Sequence, residues 1–261
     1  MYNFILLFLK RVYSFKIFKR IVPSLLRKFG GLKIINIYNF QLYASLSDSI
    51  EREIFLTNHY DKDRLDFLEK YLTKYNFEYF FDIGSYIGFY SLFFHHKKCI
   101  PKVFAFEPNN KNFNKLIKNI KLNESNIKTY NIALSNNKGE GKIWFNNSNK
   151  TGGSSILNPS DNEIKKYEKS KILYENVKLD TLDSIFYNII GKKIFIKIDV
   201  ERHELNVLQG SIKLIKNNDI LLQIEILEEQ KKIVFDHLKR NNFIHHHTID
   251  DDHFFSNFIT T

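Results

Sequence analysis

The chain has 261 residues, 43% of them hydrophobic, and carries a formal net charge of +10. This length and composition suit one well-buried domain with an appendage. The single cysteine, Cys99, excludes a disulfide framework and a cysteine metal site, and it favours a reducing compartment.

The positive charge is concentrated at the N-terminus. Residues 1–33 hold eight basic side chains and no acidic one, which leaves 31 basic and 29 acidic residues in the rest of the chain. A main domain with a net charge of only +2 argues against a broad nucleic-acid-binding face. We therefore expect no nucleic-acid partner.

Residues 1–33 are predicted to form a basic amphipathic helical arm. Apolar residues recur at three- and four-residue steps from Ile5 to Phe29, and most basic residues lie on the other side. Pro23 is predicted to begin a second helical piece, because its missing N–H costs nothing in a first turn, and Gly30-Gly31 to end it. The apolar run Phe4–Leu9 is far shorter than the roughly 20 residues that span a bilayer, and no signal-peptide cleavage site follows it.

The arm has three interpretations from sequence alone. A basic amphipathic helix can lie on an anionic membrane surface, where each cation contributes about 1 kcal/mol. It can also pack on the main domain with its charges in water, or bind a partner protein. We expect a cytoplasmic location, with peripheral contact between residues 1–30 and the inner face of the membrane as one alternative. The oligomeric state is left open.

The rest of the chain is predicted as a helical lead-in, residues 34–78, followed by a catalytic domain, residues 79–261. Residues 146–176 are polar and turn-rich, and such long loops are usually functional. The predicted elements, in order, are helix Asp61–Tyr75, strand Tyr79–Ile83, a helix from Gly88, strand Lys102–Phe106, helix Asn112–Leu122, strand Ile127–Leu134, short strand Lys142–Phe145, strand Lys193–Val200, helix Glu204–Ile215, strand Ile220–Ile226, helix Glu229–Lys239, and strands Phe243–Ile249 and Phe254–Ile259.

This alternation of strands and helices predicts the fold class. It indicates a parallel sheet with helices on both faces, and near-continuous apolar strands such as Lys193–Val200 indicate burial on both sides. Two final strands with no helix between them predict an antiparallel hairpin at the edge. The predicted class is therefore α/β, with a Rossmann-like, mostly parallel sheet and an antiparallel C-terminal hairpin. This is the layout of the class I S-adenosylmethionine-dependent methyltransferases.

The first predicted strand of this domain leads into a turn typical of a nucleoside site. An apolar run ends at Asp82, and Gly84 and Gly88 follow it, so the backbone can approach a ligand closely. Glu107 ends the next strand, where a carboxylate can accept hydrogen bonds from both ribose hydroxyls. The Gly84-x-x-x-Gly88 spacing differs from the G-x-G-x-x-G that binds a pyrophosphate. We therefore predict S-adenosylmethionine, a cofactor without a diphosphate.

Asp199 and Glu201 lie at the end of the buried strand Ile194–Val200, and both are expected on the rim of the same pocket. Lys197 lies inside that strand, where an unpaired ammonium is costly, so we expect a carboxylate partner or an exit to solvent. An exposed position at a helix N-terminus is the alternative for His203. The candidates for a general base, or for ligands of a divalent metal, are Asp199, Glu201, His203 and Glu204.

The run His245–His247, followed by Asp250–His253, resembles a metal cluster. Side chains alternate along a strand, however, so His246 points away from its two neighbours. We predict a solvated strand edge there and no metal site in the protein.

Seven motifs, taken in order, resemble the FkbM-type methyltransferases over about residues 50–227. They are Phe81–Gly88, Phe104–Asn109, Asn131–Ser135, Leu179–Asp183, Ile196–Glu201, Glu204–Gly210 and Ile224–Glu225. The resemblance implies O-methylation of hydroxyls on sugars or secondary metabolites. It implies cofactor contacts from Asp82, Gly84, Gly88 and Glu107, with Ala133 near the adenine, and we add Ser85 and Tyr86 of the same turn as cofactor-binding candidates. Asp199 and Glu201 would line the reaction centre, with His203 as a further catalytic candidate, and Gly153–Ser155 would lie near the substrate.

Two residues depart from the family pattern. Tyr86 stands where the family usually has Asn, and Arg202 stands where it has Gly. If that Gly needs a positive φ, Arg202 is strained. The predicted activity is O-methylation of a glycan, a lipid-linked sugar or a secondary metabolite. The alternatives are a catalytically inactive binding module in a surface-glycan assembly and a nucleic-acid methyltransferase.

Overall fold

The computed structural model describes residues 2–29, 31–146, 155–156 and 172–258. The helices of these ranges are α1 (Tyr2–Val12), α2 (Phe18–Phe29), α3 (Ser49–Thr57), α4 (Lys62–Lys74), α5 (Phe89–His96), α6 (Asn110–Leu122), α7 (Leu182–Ile185), α8 (Glu204–Gln209), α9 (Ile212–Lys216) and α10 (Lys231–Arg240). The strands are β1 (Leu32–Ile37), β2 (Phe40–Ser45), β3 (Tyr79–Ile83), β4 (Lys102–Phe106), β5 (Lys128–Tyr130), β6 (Ala133–Leu134), β7 (Gly139–Asn146), β8 (Ile172–Asp180), β9 (Lys193–Ile198), β10 (Asp219–Glu225), β11 (Ile244–Ile249) and β12 (Asp252–Ser256).

The central sheet has seven strands in the order β11-β12-β10-β9-β3-β4-β5. The five strands from β10 to β5 are mutually parallel, and β12 pairs antiparallel with both β10 and β11. The predicted α/β class, with a mostly parallel sheet and an antiparallel C-terminal hairpin, is confirmed. The last strand ends at Ser256, and residue 259, where we expected its end, lies outside the described residues.

The middle of the sheet is apolar on both faces. In β3, Phe80 and Phe81 are both fully buried, and strand alternation sends them to opposite sides. Phe80 stacks on Phe195 of β9 with 4.7 Å between ring centroids, and Phe81 stacks on Phe186 at 4.6 Å. Each face of the sheet therefore has its own hydrophobic core, and the central strands are held rigidly between the two.

The three central strands end level with one another. Ile83, the last residue of β3, pairs with Phe106 of β4 on one side and with Ile198 of β9 on the other. Glu107 and Asp199 are the next residues of those neighbouring strands, so both lie at the carboxyl edge of the sheet. Ligands of open α/β sheets bind at this edge.

The segment predicted as one strand, Ile127–Leu134, is divided. Its first part is β5 of the central sheet, whereas β6 belongs to a separate three-stranded sheet of order β6-β8-β7. The predicted long loop, residues 146–176, overlaps the first half of β8. We missed β8 because Val177 is the one buried side chain among its residues 173–180. The alternation of apolar and polar residues that indicates a strand is therefore weak.

The N-terminal region also differs from expectation. The predicted helical lead-in begins with an antiparallel hairpin of β1 and β2, in which Phe40, Leu42 and Ala44 face the core. Helices α3 and α4 follow. Helix α2 begins at Phe18, so Pro23 lies inside it and does not start it. Within the described ranges, every helix is too short or too polar to cross a membrane.

Candidate functional site

The turn after β3 depends on two glycines with positive φ. Gly84 has φ 79° and Gly88 has φ 85°. A Cβ on Gly84 would lie 1.8 Å from the backbone oxygen of Asp199, and one on Gly88 would lie 2.4 Å from Cδ1 of Leu116. These glycines therefore allow the turn to pack closely on its neighbours. From the sequence we expected a different role for them, the close approach of a ligand to the backbone.

Gly84→Ala is expected to lower the free energy of unfolding by more than about 2 kcal/mol, because it adds a backbone clash to the strain of positive φ. Gly191→Ala is the matched control, since Gly191 has φ 67° and open space where its Cβ would lie. The control should cost only about 1 kcal/mol. Urea unfolding of both variants measures the difference, and equal costs would contradict the assigned role of Gly84.

Glu107 is buried, and each of its two carboxyl oxygens accepts a hydrogen bond from the backbone. Oε2 accepts a hydrogen bond from the backbone N–H of Tyr86 at 2.9 Å, and Oε1 accepts one from that of Asn109 at 2.9 Å. The side chain of Asn112 forms a further hydrogen bond to it. Burial raises the pKa of Glu107 to about 8, against the lowering effect of these donors. The carboxylate is thus fixed in direction and ready to accept further donors, which would compensate for its desolvation.

Asp82 is fully buried beneath the same turn. Its Oδ2 accepts hydrogen bonds from the backbone N–H and the hydroxyl of Ser91, at 3.0 Å and 2.6 Å, so it anchors the start of α5. Its Oδ1 has no hydrogen-bond partner among the described residues. Burial raises the pKa of Asp82, and the nearby ammonium of Lys197 opposes that shift.

These groups open into two adjoining pockets. The larger takes in about 700 Å³ of empty space, the solvent at its mouth included, and is lined by Glu107, Tyr86, Ala133, Asp199 and Glu201, among others. Its apolar wall consists of Ile83, Phe106, Ile132, Leu134, Ile143 and Ile156. The smaller, of about 350 Å³, is lined by Asp82 and Ser85, and it shares Gly84, Tyr86 and Asp199 with the larger. The structure therefore brings together the predicted cofactor residues around these two adjoining pockets, which we call the cavity, with Gly88 at the adjacent start of α5.

Three carboxylates converge at the rim of this cavity. Oxygens of Asp199, Glu201 and Glu225 lie within 4.8 Å of one another. Lys197 donates to Oδ2 of Asp199 at 2.9 Å, which confirms the expected carboxylate partner. Oxygens this close are also ligands that suit a divalent cation, so the absence of a metal site, expected from the sequence, stays a prediction.

The carboxylates of this rim have different proton affinities. Burial would raise the pKa of Asp199, but the ammonium of Lys197 lowers it below its ordinary value. Burial and the charges of Asp199 and Glu201 raise the pKa of Glu225 to about 9. Glu225 therefore carries a proton at neutral pH and shares it with Asp199 through their hydrogen bond.

Glu225 was missed as a site residue, although the resemblance included it in a motif. It ends β10, whose residue Ile224 pairs with Ile198 of β9. The signal was therefore present in the order of the strands, because parallel neighbours that end level bring their terminal residues together.

The structure does not bring His203 to the lining of the cavity. His203 is buried, and its Nε2 lies 3.0 Å from Oγ of Ser135. Neither the exposed position nor the pocket position that we considered for it is found. Burial lowers the pKa of His203 to about 4, so it is neutral at physiological pH. Glu204 is likewise buried, with Oε1 accepting from the backbone N–H of Arg202 at 3.1 Å.

We expect His203→Gln to reduce the rate of methyl transfer by less than about threefold, because the ring lies outside the cavity lining and a general base must reach the proton that it accepts. The variant should instead lower thermal stability, since it disturbs a buried hydrogen bond to Ser135. Rate and melting temperature are measured on the same preparation. A rate loss of about a hundredfold at unchanged stability would restore His203 as the base.

Both departures from the family pattern occupy strained backbone. Tyr86 has φ 50° and Arg202 has φ 76°, so the conformation expected of the family's Gly is retained by Arg. Each is tied down: the hydroxyl of Tyr86 donates to Glu51 at 2.7 Å, and the backbone oxygen of Arg202 accepts from Gln230 at 2.7 Å. Non-glycine residues thus hold a positive φ at both positions.

Part of the expected substrate loop lies at the cavity. Gly153 and Ser154 lie outside the described residues, but Ser155 donates from its hydroxyl to the backbone oxygen of Glu201 at 2.6 Å. Ile156 lines the larger pocket. By contrast, the His245–His247 run lies on the edge strand, where the register is irregular, and His246 Nε2 lies 2.6 Å from Oγ of Ser256. It is not among the metal-compatible clusters of the described residues.

The cavity suits S-adenosylmethionine on three observations. The buried carboxylate of Glu107 lines it and matches a ribose diol in chemistry. Oδ1 of buried Asp82, which accepts no hydrogen bond from the described part of the chain, lies beside the turn. The wall next to Ala133 is apolar, as a purine ring requires.

The sequence profile of the Methyltransferase FkbM domain matches residues 82–249, which is more than half of the chain. The chain belongs to the FkbM methyltransferase family. It therefore carries a methyltransferase domain whose cofactor is S-adenosylmethionine. No curated protein matches this chain significantly.

Solved structures of methyltransferases are similar at low identity. Methyltransferase FkbM from Methylobacillus flagellatus KT is 18% identical with a TM-score of 0.45, over 69% of this chain and 44% of that one. This chain thus spans less than half the length of that structure's chain. An rRNA methylase from Streptococcus thermophilus is 11% identical with a TM-score of 0.41, over 76% of this chain and 96% of that one. TYW2 of M. jannaschii, in complex with AdoMet, is 9% identical with a TM-score of 0.41, over 86% and 83%.

Proposed function

We propose that the protein transfers the methyl group of S-adenosylmethionine to a hydroxyl of a glycan, a lipid-linked sugar or a secondary metabolite. The observation that carries this proposal is the carboxylate cluster of Asp199, Glu201 and Glu225 at the cavity rim. A sugar hydroxyl is weakly acidic, so its attack on a methyl group is helped by a group that accepts its proton.

The residues around the cavity form two groups: one would bind the cofactor, and the other would accept the proton of the hydroxyl. Glu107 would accept hydrogen bonds from the ribose hydroxyls, Asp82 would fix the turn, and the apolar wall near Ala133 would hold the adenine. S-adenosylmethionine supplies a methyl group already activated by its sulfonium. The protein's remaining task is to align an oxygen and receive its proton.

The carboxylate cluster receives that proton as a unit. Asp199 is kept ionised by Lys197, whereas Glu225 holds a proton until the pH approaches about 9. Because the acceptor form of the cluster is the deprotonated one, the rate of methyl transfer should increase with pH below about 9 and level off above it.

Electrostatics argue against nucleic acid as the acceptor. Near neutral pH the raised pKa values of Glu107 and Glu225 keep these two groups protonated, and Asp199 is paired with Lys197. The cavity rim therefore offers no excess of cations, which a phosphate backbone requires. A neutral hydroxyl compound needs none.

The proposal is tested by incubating the protein with S-adenosylmethionine labelled in its methyl group. The acceptors are separate fractions of polysaccharide, lipid-linked oligosaccharide, hydroxylated small metabolites and total RNA. We expect label in one of the first three fractions, on oxygen by mass spectrometry. Label only in RNA would establish the nucleic-acid alternative. Tight cofactor binding without transfer to any fraction would indicate an inactive binding module.

A further inference from the structure

The first 34 residues expose an unusual amount of apolar surface. Among the described residues, 17 large hydrophobic side chains are exposed, and ten of them lie in this short segment. These ten are Ile5, Leu7, Phe8, Phe15, Ile17, Phe18, Ile21, Leu25, Leu32 and Ile34. Eight of the ten lie in α1, α2 and the turn between them, and exposed apolar surface concentrated in this way marks interaction sites in soluble proteins.

Residues 1–33 are not detached from the domain, so detachment does not explain the exposure of these side chains. Leu6 of α1, and Val22 and Leu26 of α2, are buried in the core. The hydroxyl of Tyr13 also donates to Glu53 of α3 at 3.0 Å. The arm therefore packs on the domain through one set of apolar residues and presents a second set to solvent. Two of our interpretations, packing and surface docking, are thus compatible with each other.

Helix geometry separates the two sets. Successive residues turn by about 100°, so Leu7 and Phe8 of α1 lie about 100° and 200° from the buried Leu6. In α2, Ile21 and Leu25 flank the buried stripe. The turn between the helices adds Ile17, which is 74% exposed.

Basic side chains border this apolar surface, and no acidic residue occurs before Asp48. Arg11, Lys16, Lys19, Arg20 and Arg27 are all exposed. Exposed apolar side chains accompanied by an excess of cations complement a surface that is apolar inside and anionic outside. A bilayer with anionic headgroups has that composition.

We propose that α1, α2 and the turn between them form a docking surface for an anionic membrane. Phe8, Ile17 and their exposed apolar neighbours would enter the headgroup region, and the arginines and lysines would contact lipid phosphates. Apolar insertion and charge attraction act together in such anchors, so neither alone gives stable binding. The proposal is independent of the identity of the methyl acceptor.

The test is co-sedimentation of the full chain with vesicles of phosphatidylcholine containing phosphatidylglycerol, compared with phosphatidylcholine alone. We expect at least tenfold stronger binding to the anionic vesicles, and weaker binding at high salt. The double variant Phe8→Ser/Ile17→Ser should lose at least tenfold in partition, and Arg20→Glu/Arg27→Glu a similar factor.

Tyr187→Ser/Ile190→Ser is the matched control, because these side chains are 78% and 63% exposed and lie outside the arm. It should bind vesicles as the unmodified protein does. All variants should bind S-adenosylmethionine unchanged, which separates a failure of docking from a failure of the methyltransferase site. Equal binding to neutral vesicles, or equal binding by the arm and control variants, would overturn the proposal. So would a stable dimer in sedimentation equilibrium that Phe8→Ser/Ile17→Ser dissociates, since a second copy would then cover the surface.

Discussion

Asp199→Asn is expected to lower the rate of methyl transfer at saturating cofactor by about 10²–10⁴-fold, the usual contribution of a general base. The substitution removes the charge at the centre of the carboxylate cluster while preserving the size of the side chain. Lys197 loses its closest partner, but the carboxylates of Asp82 and Asp252 remain near it. The rate is measured with the acceptor fraction that the labelling experiment identifies, and thermal melting checks the fold.

A second variant of the carboxylate cluster and a control variant are needed to interpret the rate of Asp199→Asn. Glu201→Gln alters the cluster without disturbing the Lys197–Asp199 ion pair, so it tests the cluster if Asp199→Asn is unstable. Asp219→Asn is the control, because Asp219 pairs with Lys193 at 3.7 Å at the opposite, N-terminal ends of the same strands. Wild-type rates for both cluster variants would contradict the proposed proton acceptor.

Glu107→Gln is expected to weaken S-adenosylmethionine binding by about 10²-fold at pH 8 or above. Charge-assisted hydrogen bonds contribute about 1.5–3 kcal/mol each, and two ribose hydroxyls would lose theirs. Isothermal titration calorimetry gives the dissociation constant directly. Glu175→Gln is the control, since Glu175 also accepts a backbone N–H, that of Asn110 at 2.7 Å, but does not line the cavity.

The same residue gives the binding a predicted pH dependence. Burial raises the pKa of Glu107 to about 8, so the empty site holds a neutral carboxylic acid at pH 6. The ribose hydroxyls favour the ionised form, so affinity should rise up to tenfold per pH unit until about pH 8 and then level off. Glu107→Gln should abolish this rise. A pH-independent affinity in the unmodified protein would show that Glu107 does not bind the ribose.

Much of the site was predictable because it depends on strand order. Asp82, Glu107 and Asp199 each lie at or just after the end of an apolar run, and parallel strands bring such ends to one edge. The need for glycine at residue 84 was predictable, but its reason was not. The clash it avoids is with the backbone of Asp199, more than a hundred residues away in the chain.

The parts that failed depend on tertiary burial. Nothing local to His203 indicates that its ring turns inward to Ser135 instead of outward to the cavity. In β8, Val177 is the one buried side chain among residues 173–180, so its periodicity is weak. The hairpin of β1 and β2 did carry a strand signal, because Phe40, Leu42 and Ala44 alternate with less buried residues, and we overlooked it. Propensity and periodicity are weak guides where a segment is buried on one side only or pairs at the edge of a small sheet.

The central claim is that the carboxylate of Glu107 and the turn at Gly84 bind the nucleoside of the cofactor. A crystal structure of the complex with S-adenosylhomocysteine tests it most directly. We predict both ribose hydroxyls within about 3 Å of the Glu107 oxygens, and the adenine against Ala133. A nucleoside bound elsewhere, with Glu107 contacting only the backbone of Tyr86 and Asn109 and the side chain of Asn112, would contradict the account.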